Sequence, residues 1–213
     1  MDCGARPSGQ IVGVGTTRDC NDVNSPGRVA VIQLDAQGEL DPGFGNGGVV
    51  VLSKAINQRE GELALQPSGR VVVATEAGLV GLTPAGELDD AFGTGGLAKA
   101  DFGVSPAPYS STPLEMDMNS DGSLIVFGAY RTEEDGNQEL IVAKYTADGQ
   151  PNPGFGDSGV SKIHRGVSDL RVGPGGLIYT TGLDFVDGMY APSVTRFGAD
   201  GHLDTSYGPD SNG

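Results

Sequence analysis

The segment LDAQGELDPGFGNGGVV, residues 34–50, returns three more times in altered form. The later copies are LTPAGELDDAFGTGGLA at 82–98, YTADGQPNPGFGDSGVS at 145–161 and FGADGHLDTSYGPDSNG at 197–213. Each copy holds a turn glycine and, six residues later, an aromatic residue followed by a second glycine. A chain that repeats such a pattern is built from repeated structural units, and this organisation has to be read before any single motif.

A second landmark precedes each copy: ARPSGQIVGVG, ALQPSGRVVVA, DMNSDGSLIVF and RVGPGGLIYTT. We call the glycine-containing bend in this landmark the front turn. The two landmarks recur together with a period of roughly 55 residues, typical of a repeat architecture. We therefore predict a single repeat domain over 1–213, with units of approximately 1–60, 61–112, 113–165 and 166–213.

The residues between the landmarks form short β-branched runs bounded by Gly, Pro, Asn and Asp, as expected for strands. No segment keeps a helical 3.6-residue pattern over three turns. About four strands for every 55 residues is typical of a β-propeller blade. The sequence predicts an all-β, β-propeller-like array of four blades.

The repeated segment itself is interpreted as a corner between strands. The turn glycine supplies a positive φ for a tight reversal. The aromatic residue is expected to wedge between adjacent sheets, and the glycine after it allows close backbone approach. The leucine of each corner is expected to reach inward. These residues are Phe44, Phe92, Phe155 and Tyr207 for the wedge, and Leu40, Leu88 and Leu203 for the leucine, with Pro151 in the third copy.

The stretches ALQPSGRVVVAT and LTPAGELDDAFGTGG resemble the delta-60 repeat, a family found in tandem in bacterial, mostly surface or secreted, proteins. The resemblance extends in degraded form over essentially the whole chain. It implies a propeller-like fold, and the family supplies no agreed catalytic residues to carry over.

The fourth unit ends before its last strand, so the fourth blade is predicted to be incomplete. Either four units close with an incomplete blade, or the sequence is a piece of a longer, open or partner-completed array, and we favour the second interpretation. An exposed sheet edge is then an association point, for an edge strand or for additional blades.

The composition excludes some classes of partner. The formal net charge is −15, with 28 acidic and 13 basic residues, and no cluster of Lys and Arg that would bind phosphate is visible. Nucleic acid is therefore not an expected partner. No apolar run approaches 18 residues, so membrane insertion is not expected either. Residues 1–10 lack the features of a signal peptide. The even cysteine pair, Cys3 and Cys20, fits an extracytoplasmic disulfide or two unpaired thiols.

The connection between the first two strands varies most among the units, and variable loops on a rigid scaffold commonly carry function. Two of these loops are acidic, and their carboxylates are candidates for a ligand or a cation, or are simply solvated. These residues are Glu133, Glu134, Asp135, Asp184 and Asp187.

An acidic residue also lies seven positions before the front-turn glycine of every unit. If these four side chains converged on an axis, they would offer hard oxygen ligands for calcium. If they point to solvent, they guard strand edges. The four are Asp2, Glu62, Glu115 and Asp169.

These observations favour a non-enzymatic, extracytoplasmic propeller that binds a protein or carbohydrate ligand and needs no cofactor. The first alternative is a calcium-dependent propeller hydrolase of the lactonase or phosphatase type with an axial ion. The second is a structural spacer within a large surface protein.

Overall fold

In a computed structural model of the chain, the described residues are 2–18, 27–55, 62–75, 77–99, 102, 110–131, 139–163, 166–186 and 188–208. The chain divides into two compact units, Met1–Ala100 and Asp101–Gly213.

The first unit contains two four-stranded antiparallel sheets, in which consecutive strands are neighbours. The first sheet consists of β1 (Asp2–Ala5), β2 (Ile11–Thr17), β3 (Arg28–Leu34) and β4 (Val49–Ala55). The second sheet consists of β5 (Leu63–Leu65), β6 (Val71–Thr75), β7 (Gly78–Leu82) and β8 (Leu97–Lys99).

The second unit contains one four-stranded and one three-stranded antiparallel sheet. The third sheet consists of β9 (Ser110–Met118), β10 (Leu124–Arg131), β11 (Glu139–Tyr145) and β12 (Val160–Ile163). The fourth sheet consists of β13 (Gly166–Val172), β14 (Ile178–Val186) and β15 (Met189–Phe197), with a single 3₁₀ turn at Pro174–Gly176. The prediction of an all-β array of four small sheets, the last incomplete, is confirmed.

The front turns join the first two strands of each sheet by the same pair of backbone hydrogen bonds. In the first turn, Arg6 N donates to Gln10 O over 2.8 Å and Gly9 N donates to Arg6 O over 2.9 Å. Gly9 adopts a φ of +88°, a conformation that residues with a Cβ rarely adopt. The glycine therefore sets the reversal that brings β1 and β2 into register.

The core of the first unit lies between its two sheets. Val12 and Val31 of the first sheet are fully or almost fully buried against Val71 and Leu82 of the second. Burying such a side chain contributes roughly 1.5–3 kcal/mol. The second unit repeats this arrangement, with a core of Ile125, Phe127, Val142, Phe155, Ile163, Leu170, Ile178 and Phe197.

The expectation that the corner leucines reach inward is wrong. Leu40, Leu88 and Leu203 are all exposed. The first two cover a buried glycine of their own sheet from outside: a Cβ on Gly48 would lie 2.8 Å from Leu40 Cβ, and one on Gly96 would lie 2.4 Å from Leu88 Cγ. Each leucine thus occupies the space that the glycine leaves open.

Candidate functional site

The best-defined local structure of the chain is the aromatic corner, which we define as residues 41–45, 89–93, 152–156 and 204–208. In every corner the first residue is Asp or Asn, and its Oδ1 accepts the N–H two residues later. Its backbone carbonyl also accepts the N–H of the aromatic residue. The sequence analysis missed this acceptor, although Asp or Asn at a fixed place before a bend is a known turn signal. The four acceptors are Asp41, Asp89, Asn152 and Asp204.

Within each unit, the aromatic corner of one sheet packs on the glycine turn that precedes the corner of the next sheet. Gly45 N donates to Ala85 O over 2.7 Å, and a Cβ on Gly86 would lie 3.1 Å from Phe44 Cδ2. In the second unit Gly156 N donates to Asp200 O over 2.7 Å, and the Phe155 ring lies against Gly201 in the same way. Two of the four predicted wedges are therefore seen in contact with a neighbouring sheet, and Phe92 is also fully buried.

An arginine anchors two of the corners. In the second sheet Arg70 Nε lies 2.6 Å from Asp89 Oδ2, and the guanidinium lies 5.4 Å from the centre of the Phe92 ring. The hydrogen bond from Arg70 holds the pKa of Asp89 below its ordinary value. These contacts leave the Asp89 carboxylate committed to structure.

The fourth corner reproduces the arrangement with an arginine from β15, whereas Arg70 lies in the front turn before β6. Arg196 Nη2 lies 2.6 Å from Asp204 Oδ2, and its guanidinium lies 4.4 Å from the centre of the Tyr207 ring. Hydrogen bonds from Ser206 and Arg196 hold the pKa of Asp204 below its ordinary value. The second and fourth corners therefore contain the same Asp–Arg ion pair, although their arginines occupy different positions in the repeat.

The first corner replaces the arginine with two glutamines. Gln10 Nε2 and Gln33 Nε2 each donate to Asp41 Oδ2 over 2.9 Å. The hydrogen bond from Gln33 and, to a smaller extent, that from Gln10 hold the pKa of Asp41 below its ordinary value. The carboxylate is fully used here as well.

Arg6 is hydrogen-bonded to Gln33, and its guanidinium links the first two sheets. Its Nε donates to Gln33 Oε1 over 3.0 Å and its Nη1 donates to Gly69 O over 2.8 Å. Its Nη2 is enclosed without a partner, and burial lowers the pKa of the guanidinium. A cleft of about 580 Å³ between the two front turns runs past this residue. Two of the three guanidinium nitrogens therefore link the first sheet to the front turn of the second.

The four residues predicted as calcium ligands have local roles where the structure specifies them. Asp2 Oδ2 accepts the N–H of Leu63, in the neighbouring sheet, over 3.0 Å. Asp169 pairs with Arg171 over 2.7 Å. Glu62 and Glu115 are half-buried. Within the described part of the chain, no group of three or more His, Cys, Asp or Glu side chains is placed to hold a metal ion.

The bond made by Asp2 has a counterpart in the second unit that the sequence analysis did not find. Asp117 Oδ2 accepts the N–H of Val172, on the first strand of the next sheet, over 2.7 Å. In each unit, a carboxylate on the first strand of one sheet therefore accepts a backbone hydrogen bond from the first strand of the next sheet and links the two sheets.

Most of the predicted ligand-loop residues lie outside the described residues: Glu133, Glu134, Asp135 and Asp187. Asp184 is described, and its Oδ1 accepts the N–H of Phe185 over 2.9 Å. It belongs to the end of the β14–β15 hairpin, which we call the hairpin tip and define as residues 183–186 and 188–190.

The hairpin tip carries large apolar side chains that project into solvent. Phe185 is 62% exposed and Tyr190 is 75% exposed, and their rings meet edge to face with centres 5.2 Å apart. Leu183 and Met189 are exposed beside them. The acidic residues of this loop were predicted as ligand candidates from the sequence, whereas the aromatic pair was not predicted.

The predicted disulfide stays a prediction. Cys3 is exposed, and its predicted partner Cys20 lies outside the described residues. Nothing else described at Cys3 points to chemistry.

These features define a β-propeller-like repeat protein: small antiparallel sheets, joined in each unit by a repeated aromatic corner. The chain is similar to a β-propeller domain of unknown function (DUF5122) over residues 6–44 and 119–155. Both matched segments begin in a front turn and end at the glycine-bracketed aromatic, Phe44 in the first and Phe155 in the second. The likeness thus covers the same repeated segment in each unit.

A comparison with curated proteins gives no match. In the part of the chain that the structure describes, no helix has the length and apolar character needed to cross a membrane.

Proposed function

We propose that this protein is a non-enzymatic binding scaffold of delta-60-type propeller repeats, which works outside the cytoplasm and binds a partner protein through the hairpin tip. The observation that carries the proposal is the pair of aromatic rings at the tip. The other large aromatic residues of the described cores, such as Phe44 and Phe155, are buried. Phe185 and Tyr190, in contrast, are mostly exposed to solvent.

Exposed aromatic residues in a cluster are typical of interaction sites. Apolar surface in contact with water is unfavourable, and Tyr in particular is enriched among the residues that dominate binding energy. The tip lies at the end of a hairpin whose two strands are paired from Ile178↔Phe197 to Val186↔Met189. A continuous ladder of this kind holds the two rings in place and lowers the entropic cost of binding.

The charge around the rings indicates the nature of the partner. Asp184 lies directly beside Phe185, and the whole chain carries a net charge of −15. A complementary partner has an apolar centre that receives the rings and a basic rim. We expect the affinity to fall as salt is added, because the attraction between the opposite charges is screened.

The extracytoplasmic location rests on other grounds. The even cysteine number, the acidic, glycine-rich composition and the resemblance to delta-60 repeats support it. The carboxylates whose partners are described serve structural bonds, and this supports a scaffold rather than a hydrolase.

The test compares three proteins: wild type, a Phe185→Ser/Tyr190→Ser double variant and Val51→Ser. Val51 is an exposed apolar residue on β4, in the other compact unit, and serves as the matched control. Each protein is immobilised and exposed to native extracellular extract, and a captured protein is then purified and titrated by calorimetry.

We expect the double variant to weaken binding by at least about tenfold, since loss of an interface aromatic commonly costs about 2 kcal/mol or more. Val51→Ser is expected to bind as the wild type does. Circular dichroism checks that the double variant is folded. Equal affinity of all three proteins, or no capture by the wild type, would overturn the proposal. Binding on a glycan array that is lost in the double variant would instead identify a carbohydrate ligand.

A further inference from the structure

Each sheet has two different faces. We call the face that packs on the preceding sheet the front face and the opposite one the back face. In the first unit, Val31 on the back face of the first sheet packs in one core with Val71 on the front face of the second. In the second unit, Val142 on the back of the third sheet and Ile178 on the front of the fourth do the same. All four side chains are fully buried.

The first sheet exposes its front face. By strand register, Ile11 pairs with Leu34 as Val71 pairs with Leu82 and Ile178 with Phe197. Ile11 is therefore the counterpart of two fully buried residues, yet it is 43% exposed. Ile32, on the same face, is exposed as well.

The fourth sheet exposes its back face. Val194, three residues before the end of β15, corresponds to Val31 in β3 and Val142 in β11. Those two are fully buried, whereas Val194 is 45% exposed. The array thus presents a front face at the first sheet and a back face at the fourth, the two kinds of face that pack together inside each unit.

The contact between an aromatic corner and a glycine turn is also incomplete at the first sheet and at the fourth sheet. Gly86 and Gly201 are buried beneath Phe44 and Phe155, but Gly38, the equivalent glycine of the first sheet, is exposed and a Cβ there would meet nothing within 4 Å. At the other end, the ring of Tyr207 is only half-buried. An aromatic corner and an open glycine turn are the two halves of the joint that the chain uses internally.

We propose that a second copy of this chain docks head to tail, with the front face of its first sheet on the back face of the fourth sheet. Tyr207 of one copy lies on the Gly38 turn of the other, and Gly208 N donates to Gln37 O, as Gly45 N donates to Ala85 O. The contact continues the sheet-to-sheet packing already present within each unit. Because its two surfaces differ, it is heterologous and extends or closes a series of copies.

This contact stands apart from the proposed partner site. It uses Val194 and Tyr207, at the corner end of the fourth sheet, and leaves the hairpin tip free. It also responds to salt in the opposite way. Two copies that each carry a charge of −15 repel one another, so added salt strengthens their association, whereas the contact with a basic partner weakens.

The test is sedimentation equilibrium over the micromolar range with wild type, Ile32→Glu and Val194→Glu. Both positions are exposed, so the variants are compatible with the fold. Val51→Glu is the matched control: Val51 shares the face of Ile32 but lies on the last strand, where the equivalent residues of the second and third sheets, Lys99 and Lys162, stay exposed. We expect the wild type and the control to associate with rising concentration, and each of the two variants to stay at the monomer mass of 21.7 kDa.

A mixture of the two variants gives the decisive result. Ile32→Glu keeps an intact back face and Val194→Glu keeps an intact front face, so the mixture is expected to form dimers and nothing larger. A wild type that stays monomeric at every concentration and salt level would overturn the proposal, and so would a mixture that does not associate. The Phe185→Ser/Tyr190→Ser variant is expected to associate normally, so failure of the partner site and failure of this contact are read separately.

Discussion

The glycine turn beneath Phe44 offers a measurement of what one sheet-to-sheet joint contributes. Gly86 and Gly38 occupy the same turn position in consecutive sheets, with φ of +81° and +85°. Gly86 is covered by the preceding sheet, whereas nothing lies within 4 Å of a Cβ at Gly38. Comparing Gly86→Ala with Gly38→Ala therefore separates the cost of the joint from the cost of the backbone conformation.

The backbone cost is common to both variants. An alanine in the left-handed region is disfavoured by about 1–2 kcal/mol, and reduced freedom of the unfolded chain returns about 0.4–1 kcal/mol. At Gly86 the new methyl group would also lie 2.8 Å from Gly45 N and 2.9 Å from Val50 Cγ2. Overpacking of this kind costs about 1–3 kcal/mol, and displacement of the Gly45–Ala85 hydrogen bond about 1 kcal/mol more.

We therefore expect Gly38→Ala to lower the free energy of unfolding by about 1 kcal/mol and Gly86→Ala to lower it by about 2–4 kcal/mol more. The assay is hydrogen exchange along a urea series at low micromolar protein, with peptides from β3 and β7 reporting on the first unit and β11 as an internal control. A difference of about 2 kcal/mol moves the urea midpoint by about 1 M. Equal midpoints for the two variants would refute the view that Phe44 and its glycine turn hold the sheets together.

Three further outcomes follow from the same contacts. Because Arg70 lowers the pKa of Asp89 in the folded state, the pair contributes fully above the ordinary carboxyl pKa of about 4 and loses its contribution as the pH falls through the lowered folded-state pKa. The difference in stability between wild type and Asp89→Asn, measured by urea titration, should shrink below about pH 4, and a difference independent of pH would contradict this role. Asp2→Ala and Asp117→Ala should each lower the free energy of unfolding by about 1 kcal/mol through the loss of the bonds to Leu63 and Val172. The Asn variants keep an acceptor and should lower it less. Identical losses for the Ala and Asn variants would argue against a role of these hydrogen bonds in joining the sheets. Millimolar calcium should leave the melting temperature within experimental error of that in chelator, and a gain of several degrees, lost on Asp2→Asn, would instead favour an axial ion.

The repeat architecture could be predicted from sequence because its determinants are local. Turn glycines and β-branched runs fix strand ends through backbone conformation and side-chain shape, and the predicted runs at Ile11, Val71 and Leu124 begin β2, β6 and β10. The wedge role of Phe44 was accessible in the same way, since an aromatic residue bracketed by glycines recurs once in every unit.

The surface properties could not be predicted in this way, because exposure depends on what packs against a strand. The strand IYTTGLDFV of β14 gives no sign of which face is covered, so the exposure of Phe185 is a tertiary result. Leu40 was misassigned for the same reason: its apolar side chain covers Gly48 from outside the sheet, a contact that no local pattern encodes. The convergence of Asp2 with the other three predicted ligands depends likewise on tertiary arrangement and stays a prediction.

The charge of the chain acquires a role once the two open faces are considered together. Two complementary apolar faces on one chain join copies into rings or open-ended series unless something opposes them. Here the opposing term is the excess of 28 acidic over 13 basic residues, which repels copies at every separation shorter than the screening length. The apolar faces act only at contact, whereas the repulsion acts earlier and is weakened by salt. Association is therefore controlled by ionic strength, and a variant in which several exposed acids far from both faces are replaced by neutral residues should associate at low salt as the wild type does at high salt.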